Sequence, residues 1–151
     1  KDGWFDAARV KTYIPRRCKL WPETIEALEE VINDPAPIAG AEFEPLVFRT
    51  RFGTPYIKVK ATKAGRWYKD DAIAKEFTKL RNTLELSRER CTFYDLRRTF
   101  ETVASGSRDQ IAVDCVMGHV DDSMAAIYRQ GIEDKRLEKV ADHVREWLLS
   151  K

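Results

Sequence analysis

The chain has 151 residues, of which 43% are hydrophobic and 34% charged, a composition typical of a globular protein in water. No apolar run approaches the roughly 20 residues that a membrane-spanning helix needs, and the first residues lack the apolar core of a signal peptide. Three widely spaced cysteines and only two histidines predict reduced thiols, a cytoplasmic location and no metal site.

Charge is distributed unevenly along the chain, although the net charge is only +2. Residues 9–21 carry five bases and no acid, residues 22–44 carry seven acids and no base, and residues 45–69 carry seven bases and no acid. Such alternation indicates a polarised surface that can meet nucleic acid. The alternative is a set of solvated strand edges, where lysines commonly discourage aggregation.

The first half of the chain predicts strands and one helix. "WFDAARV" and "YIPRRCKL" are expected to form two short strands around Lys11 and Thr12. Pro22 is expected to begin the helix "PETIEALEEVI", with an apolar stripe of Ile25, Leu28 and Ile32. The loop "NDPAPIAGAEFEP" follows, and "LVFRTRFGTPYIKVK" predicts two more short strands around residues 52–55.

The second half predicts helices. They are expected near 70–86, in "FYDLRRTFETVAS" after an N-cap at Thr92, in "RDQIAVDCVM" after Ser107, around Tyr128, and near 134–149. Their apolar stripes are Ile73, Phe77, Leu80 and Leu84; Phe93, Leu96, Phe100 and Val103; and Leu137, Val140, Ala141, Val144, Trp147 and Leu148. The predicted fold is therefore mainly α with a small β component, an α+β arrangement of packed helices with short N-terminal hairpins.

Four residues in the second half have side chains suited to phosphate chemistry. Tyr94 and Arg97 are three residues apart and so share one helix face. His119 follows Gly118, and Tyr128 comes nine residues after it. Arginine offers a planar fork of donors to a phosphate, histidine can donate a hydrogen bond or move a proton, and a tyrosine hydroxyl becomes a nucleophile when such neighbours activate it.

The chain resembles the catalytic domain of the tyrosine recombinases, the phage-integrase family. The motifs that carry the resemblance are "YDLRRTF", "MGHVDDSMAAIY" and "RVKTYIPRRCKLWPETIEAL". They match the family's H-x-x-R segment, its L-G-H segment with a tyrosine nine residues later, and its lysine hairpin, in the family's order. The match covers nearly the whole chain.

The resemblance implies a reaction and a role for each residue. Tyr128 would attack a DNA phosphodiester and form a 3′-phosphotyrosyl bond, while Arg97 and His119 contact the non-bridging oxygens. Lys11 would protonate the leaving 5′-oxygen. The family uses no metal and no cofactor, and it acts on double-stranded DNA at recombination sites as a homo-tetramer, for which the C-terminal helix is the expected contact. We also expect DNA backbone contacts from Arg16, Arg17, Arg49 and Arg98.

The sequence departs from the family pattern in two places. Tyr94 stands where the family usually has histidine or lysine. The family's first arginine lies in a segment upstream of the lysine hairpin, and Arg9 is too close to Lys11 to replace it. We therefore expect residues 1–151 to be a single catalytic-domain fragment that lacks that segment and the N-terminal DNA-binding domain, and that is inactive alone. The alternatives are a catalytically degenerate DNA-binding module of the same fold and a structural helical domain that binds proteins.

Overall fold

A computed structural model describes residues 2–11, 13–86, 91–119 and 131–150 of the chain. The fold is mixed α and β, as expected. The chain divides into two compact units, one made of Lys1–Ile25 and Arg97–Lys151 and the other of Glu26–Leu96. In the part of the chain that the structure describes, no helix is both long and apolar enough to cross a bilayer.

The first unit opens with the predicted hairpin. Strands β1 (Trp4–Ala8) and β2 (Pro15–Lys19) are antiparallel, with Trp4 opposite Lys19 and Ala8 opposite Pro15. Two backbone hydrogen bonds close the connection, from the Arg9 amide to the Ile14 carbonyl at 2.9 Å and from the Tyr13 amide to the Arg9 carbonyl at 2.7 Å. This hairpin confirms the strand prediction on both sides of Lys11.

Three helices complete the described part of this unit. They are α3 (Phe93–Ala104), which begins in the other unit, α4 (Gln110–Met117) and α5 (Asp134–Leu149). A 3-10 turn at Ser105–Ser107 separates α3 from α4. The short helix predicted around Tyr128 and its cap at Asp121 or Asp122 lie outside the described residues.

The core of this unit lies between α4, α5 and the end of α3. Its fully or nearly fully buried members are Ala104, Ala112, Val113, Val116, Met117, Leu137, Val140, Ala141 and Val144. Trp21 also fixes α5, because its indole Nε1 donates to the Ala141 carbonyl at 2.9 Å. The apolar stripe of the last helix, from Leu137 to Val144, is therefore covered by its own unit, whereas Leu148 remains 49% exposed.

The start of α4 differs from the prediction. Asp109, not Ser107, is the N-cap, since its Oδ1 accepts the Ala112 amide at 3.1 Å. Ser107 belongs to the preceding 3-10 turn. Helix α3 begins directly after Thr92, as predicted, and the Asp95 carboxylate accepts both the Thr92 amide and the Thr92 hydroxyl at 2.7 Å. The bond from the Asp95 carboxylate to the Thr92 amide is one half of a capping box.

The second unit contains the other hairpin, and here the strand prediction is half right. Strand β3 (Ile57–Ala61) pairs antiparallel with β4 (Trp67–Asp71), a strand that the sequence reading missed, and residues 46–51 form no strand. A turn joins the two strands. In it the Thr62 amide donates a hydrogen bond to the Arg66 carbonyl, and Gly65 has a φ of 76°. Residues 50–54 instead form a separate turn against the loop at Pro37, where Gly53 leaves no room for a side chain.

The helices of the second unit have more exposed stripes than predicted. Helix α1 (Pro22–Asn33) starts at Pro22 as expected, but Ile32 is 62% exposed and Val31 is the half-buried residue of that turn. Helix α2 (Ala72–Thr83) is capped by Asp71. Within the predicted stripe of α2, Phe77 is half-buried and meets the Phe93 ring edge to face with the centroids 5.4 Å apart, while Ile73 and Leu80 are exposed. On α3, Phe93 and Leu96 are likewise exposed, and the side that packs on the core is Phe100, Val103 and Ala104.

Candidate functional site

The candidate site is built on the turn Met117–Gly118–His119 that ends α4. Gly118 has left-handed backbone angles of φ 63° and ψ 43°. The His119 amide donates to the Asp114 carbonyl at 2.9 Å and the Gly118 amide to the Cys115 carbonyl at 3.2 Å. This pair of bonds is a Schellman motif, which glycine favours because it has no Cβ to clash at positive φ. The motif sets the direction in which His119 leaves the helix.

Arg97 reaches this turn from α3. Its Nη2 donates to the Met117 carbonyl at 2.6 Å, across 20 residues of sequence. A carbonyl in the last turn of a helix lacks an intrahelical donor, so a guanidinium there satisfies it and also complements the negative end of the helix dipole. Arg97 is half-buried, and this bond uses one of the five N–H groups of its guanidinium.

His119 is oriented by two carboxylates. Its Nδ1 lies 3.4 Å from Asp114 Oδ1 and 3.8 Å from Glu101 Oε1. Gln110 Nε2 donates to the same Asp114 oxygen at 2.9 Å, which holds that carboxylate in place. The geometry favours the hydrogen on Nδ1, so Nε2 is the nitrogen available for a ligand. Glu101 lies one helical turn after Arg97, so α3 contacts the turn with two side chains.

The Lys11 hairpin contacts the same turn through Arg9, the first residue of the connection between its strands. Arg9, directly after β1, donates from Nη1 to the Gly118 carbonyl at 3.3 Å. A Cβ placed on Gly118 would lie 3.4 Å from Arg9 Cβ and 3.6 Å from Arg16 Cδ, so both arginine stems pack against it. Lys11 itself is exposed in the connection of the hairpin. The structure thus brings Arg97, His119 and the connection of the Lys11 hairpin to one turn.

Arg16 lies in the wall beside this turn. A cavity of about 260 Å³ is lined by Phe5, Arg16, Cys18, Leu20, Arg97, Phe100, Val116 and Met117. The Arg16 guanidinium stacks 5.5 Å from the centre of the Phe5 ring, and its buried Nε has no hydrogen-bond partner among the described residues. Burial raises the pKa of the Cys18 thiol in the same wall. Two arginines therefore share an otherwise largely apolar cavity.

The other predicted residues have different surroundings. Arg17 binds Asp134 with Nε at 2.8 Å and Nη2 at 3.1 Å, and binds Asp6 at 2.5 Å, which raises the pKa of Arg17 and ties β2 to α5. Arg49 donates to the carbonyls of Ala36, Pro37 and Leu46. These two contacts favour structural roles rather than the DNA contacts that we expected.

Tyr94 and Arg98 are exposed on α3, with Tyr94 in its first turn and in the second unit. Tyr128 lies outside the described residues. The sequence reading missed Arg9, Glu101 and Asp114. No local pattern marks them, since each acts through a neighbour in space. The spacing from Asp114 to His119 is the one signal that could have suggested a contact.

No family model, curated protein or solved structure matches the chain. Among the residues that the structure describes, no cluster of histidine, cysteine or carboxylate side chains is arranged to hold a metal ion.

Proposed function

We propose that the chain is a tyrosine-recombinase catalytic domain that cuts and rejoins double-stranded DNA through Tyr128. The observation that carries the proposal is the meeting of Arg97, His119 and the Lys11 hairpin at one helix end. Arg97 bonds to Met117, Arg9 bonds to Gly118, and His119 follows directly. These residues come from the three sequence segments that carry the family resemblance, although the sequence reading did not single out Arg9.

The chemistry follows from the side chains of this turn. The remaining Arg97 N–H groups would donate to the non-bridging oxygens of a phosphodiester as negative charge builds there. As Tyr128 Oη attacks the phosphorus, its proton would pass to His119 Nε2, which could then donate to the same oxygens. The 3′-phosphotyrosyl bond would replace the bond between phosphorus and the 5′-oxygen. Lys11 would give a proton to that leaving oxygen. The phosphotyrosyl link keeps the bond energy, so the free 5′-hydroxyl can later reverse the step.

The fixed carbonyl contacts of Arg97 and Arg9 support this reading in energetic terms. A guanidinium anchored before the phosphate arrives loses less side-chain entropy on binding than a mobile one. The orphan Nε of Arg16 in the adjoining wall adds a second guanidinium close to the turn. Arg16 is therefore our candidate for a second arginine that binds the phosphate at this turn.

The test is the formation of a covalent protein–DNA adduct. The full-length protein is incubated with a pool of end-labelled, nicked duplexes of randomised sequence and then run on a denaturing gel. We expect an adduct that disappears in Tyr128→Phe and persists in Tyr56→Phe, a matched loss of one hydroxyl elsewhere in the chain. If no adduct forms with any member of the pool, the recombinase proposal is overturned.

A second candidate is a DNA-binding module of the same fold without catalysis. The presence of Tyr94 in place of the family's histidine favours it. It predicts binding to duplex DNA that weakens steeply with salt, but no covalent adduct. The same gel, run beside a binding titration, separates the two functions.

A further inference from the structure

The hairpin of the second unit has the composition of a nucleic-acid surface. This basic ribbon consists of β3 (Ile57–Ala61), the turn, and β4 (Trp67–Asp71). Its residues 57–69 carry five bases and no acid, and the strand β4 then ends with Asp70 and Asp71. It lies in the unit that contains neither Arg97 nor His119, so it is separate in the chain from the candidate site.

The charges of the ribbon fall into two groups. Lys60 of β3 and Lys75 of α2 both bind the Asp70 carboxylate, which lowers the pKa of Asp70 to about 2. By contrast, Lys63, Arg66 and Lys69 are exposed, and none forms an ion pair with another described residue. Lys63 and Arg66 lie in the turn between the two strands, and Lys69 is the third residue of β4.

The register places an apolar stripe beside these cations. Directly paired residues share a face of an antiparallel ribbon, and the pairs Val59 with Lys69 and Ala61 with Trp67 lie on the same face. Val59 is 68% exposed and Trp67 is 70% exposed. Val59, Ala61 and Trp67 therefore form an exposed apolar patch beside cations, an arrangement typical of an interaction surface.

We propose that the basic ribbon is a second contact surface for duplex DNA. A two-stranded ribbon fits the major groove of B-DNA. Lys63, Arg66 and Lys69 would bind phosphates, and Trp67 would cover sugar or base edges. The choice of DNA over an acidic protein rests on the proposed function and on the three exposed cations Lys63, Arg66 and Lys69, which follow one another along the ribbon and suit a continuous polyanion.

The test is the salt dependence of binding of the full-length protein to a duplex of mixed sequence. The variant is Lys63→Gln with Arg66→Gln and Lys69→Gln, which keeps the side-chain stems and removes three charges. The matched control is Lys79→Gln with Lys135→Gln and Lys139→Gln, three exposed lysines on helices. Circular dichroism and the unfolding midpoint show that both variants remain folded.

Each phosphate contact contributes about 0.9 to the slope of log K against log salt. We expect the slope of the ribbon variant to fall by about two to three, and that of the control by less than about one. Trp67→Ala should weaken binding at every salt concentration without changing the slope. Equal slopes for the ribbon variant and the control would overturn the inference and favour a protein partner.

The failure of this inference is distinguishable from failure of the proposed function. A Tyr128-dependent adduct with unchanged ribbon slopes would leave the recombinase proposal standing and remove only the ribbon. A reduced ribbon slope without any adduct would support the ribbon and reject the catalytic proposal. If the unmodified protein does not bind duplex DNA at all, the ribbon inference is overturned as well.

Discussion

Arg9 donates a hydrogen bond to the carbonyl oxygen of Gly118 at 3.3 Å, across 109 residues of sequence. This bond joins the connection of the first hairpin to the turn that contains His119. It also satisfies a carbonyl just beyond the last turn of α4, which has no donor within the helix. The hairpin and the helix end are therefore held together at the candidate site.

Removing the Arg9 side chain should disturb both stability and the site. Arg9→Ala is expected to lower the free energy of unfolding by about 1 kcal/mol, the net value of a partly exposed hydrogen bond from a charged group. It should also slow adduct formation, because the Lys11 hairpin loses its tie to the turn. Arg9→Lys, which keeps the charge, should recover part of both. Urea unfolding and the rate of adduct formation measure the two effects, and unchanged values for Arg9→Ala would contradict this account.

Gly118 should resist replacement because of its backbone angles. At φ 63° a side chain with a Cβ is strained by about 1–2 kcal/mol. The packed arginine stems of Arg9 and Arg16 lie at ordinary contact distance from that Cβ, so the strain is the larger cost. Gly118→Ala should lose about 1 kcal/mol of stability, and Gly118→Asn should lose less, since asparagine tolerates left-handed angles. Equal losses in the two variants, measured by urea unfolding, would argue against backbone strain.

The Asp109–Arg136 pair should make stability depend on pH. Arg136 binds Asp109 with Nε and Nη2, both at 2.7 Å, and this bonding lowers the pKa of Asp109 below its ordinary value. A lowered folded-state pKa stabilises the fold above the unfolded pKa of about 3.9, and that contribution is lost as pH falls through the folded value.

Asp109→Asn isolates the charge pair, because asparagine also caps helices well. At neutral pH it should cost about 1 kcal/mol after solvent screening of this partly exposed pair. The difference from the unmodified protein should shrink as pH falls below about 3.9. Unfolding curves over this pH range provide the measurement, with Asp34→Asn, an exposed aspartate, as the control. A difference that grows on acidification would have the wrong sign for this pair.

Gly106 should be coupled to His143. A Cβ on Gly106 would lie 2.8 Å from His143 Nε2, too close for an unchanged ring. Gly106→Ala should therefore destabilise the protein by up to about 1 kcal/mol, while in a His143→Ala background the same change should be neutral or stabilising, since alanine restricts the unfolded chain more than glycine. A double-mutant cycle measures the coupling, and additive effects would show that the ring moves away without cost.

Local patterns in the sequence were enough to predict several elements, although α4 is capped by Asp109 rather than by Ser107. The hairpin around Lys11, the start of α3 after Thr92, the stop at Gly118 and the stripe from Leu137 to Val144 each depend on residues close together in the chain. Backbone angles, capping bonds and helical periodicity act over a few residues, so composition and spacing reveal them. The nine-residue spacing between His119 and Tyr128 stays a prediction, because Tyr128 lies outside the described residues.

Only the tertiary structure decided which residues meet. The pairing of β3 with β4 depends on which of two turns, at Gly53 or at Gly65, joins strands, and both have turn-forming sequences. The exposed stripe of α2 shows that periodicity predicts which residues share a helix face but not whether another element packs on that face. The contacts of Arg97 with Met117 and Arg9 with Gly118 join segments that are 20 and 109 residues apart. Such contacts arise from how α3, α4 and the hairpin pack, because burial and donor–acceptor geometry are set in three dimensions rather than along the chain.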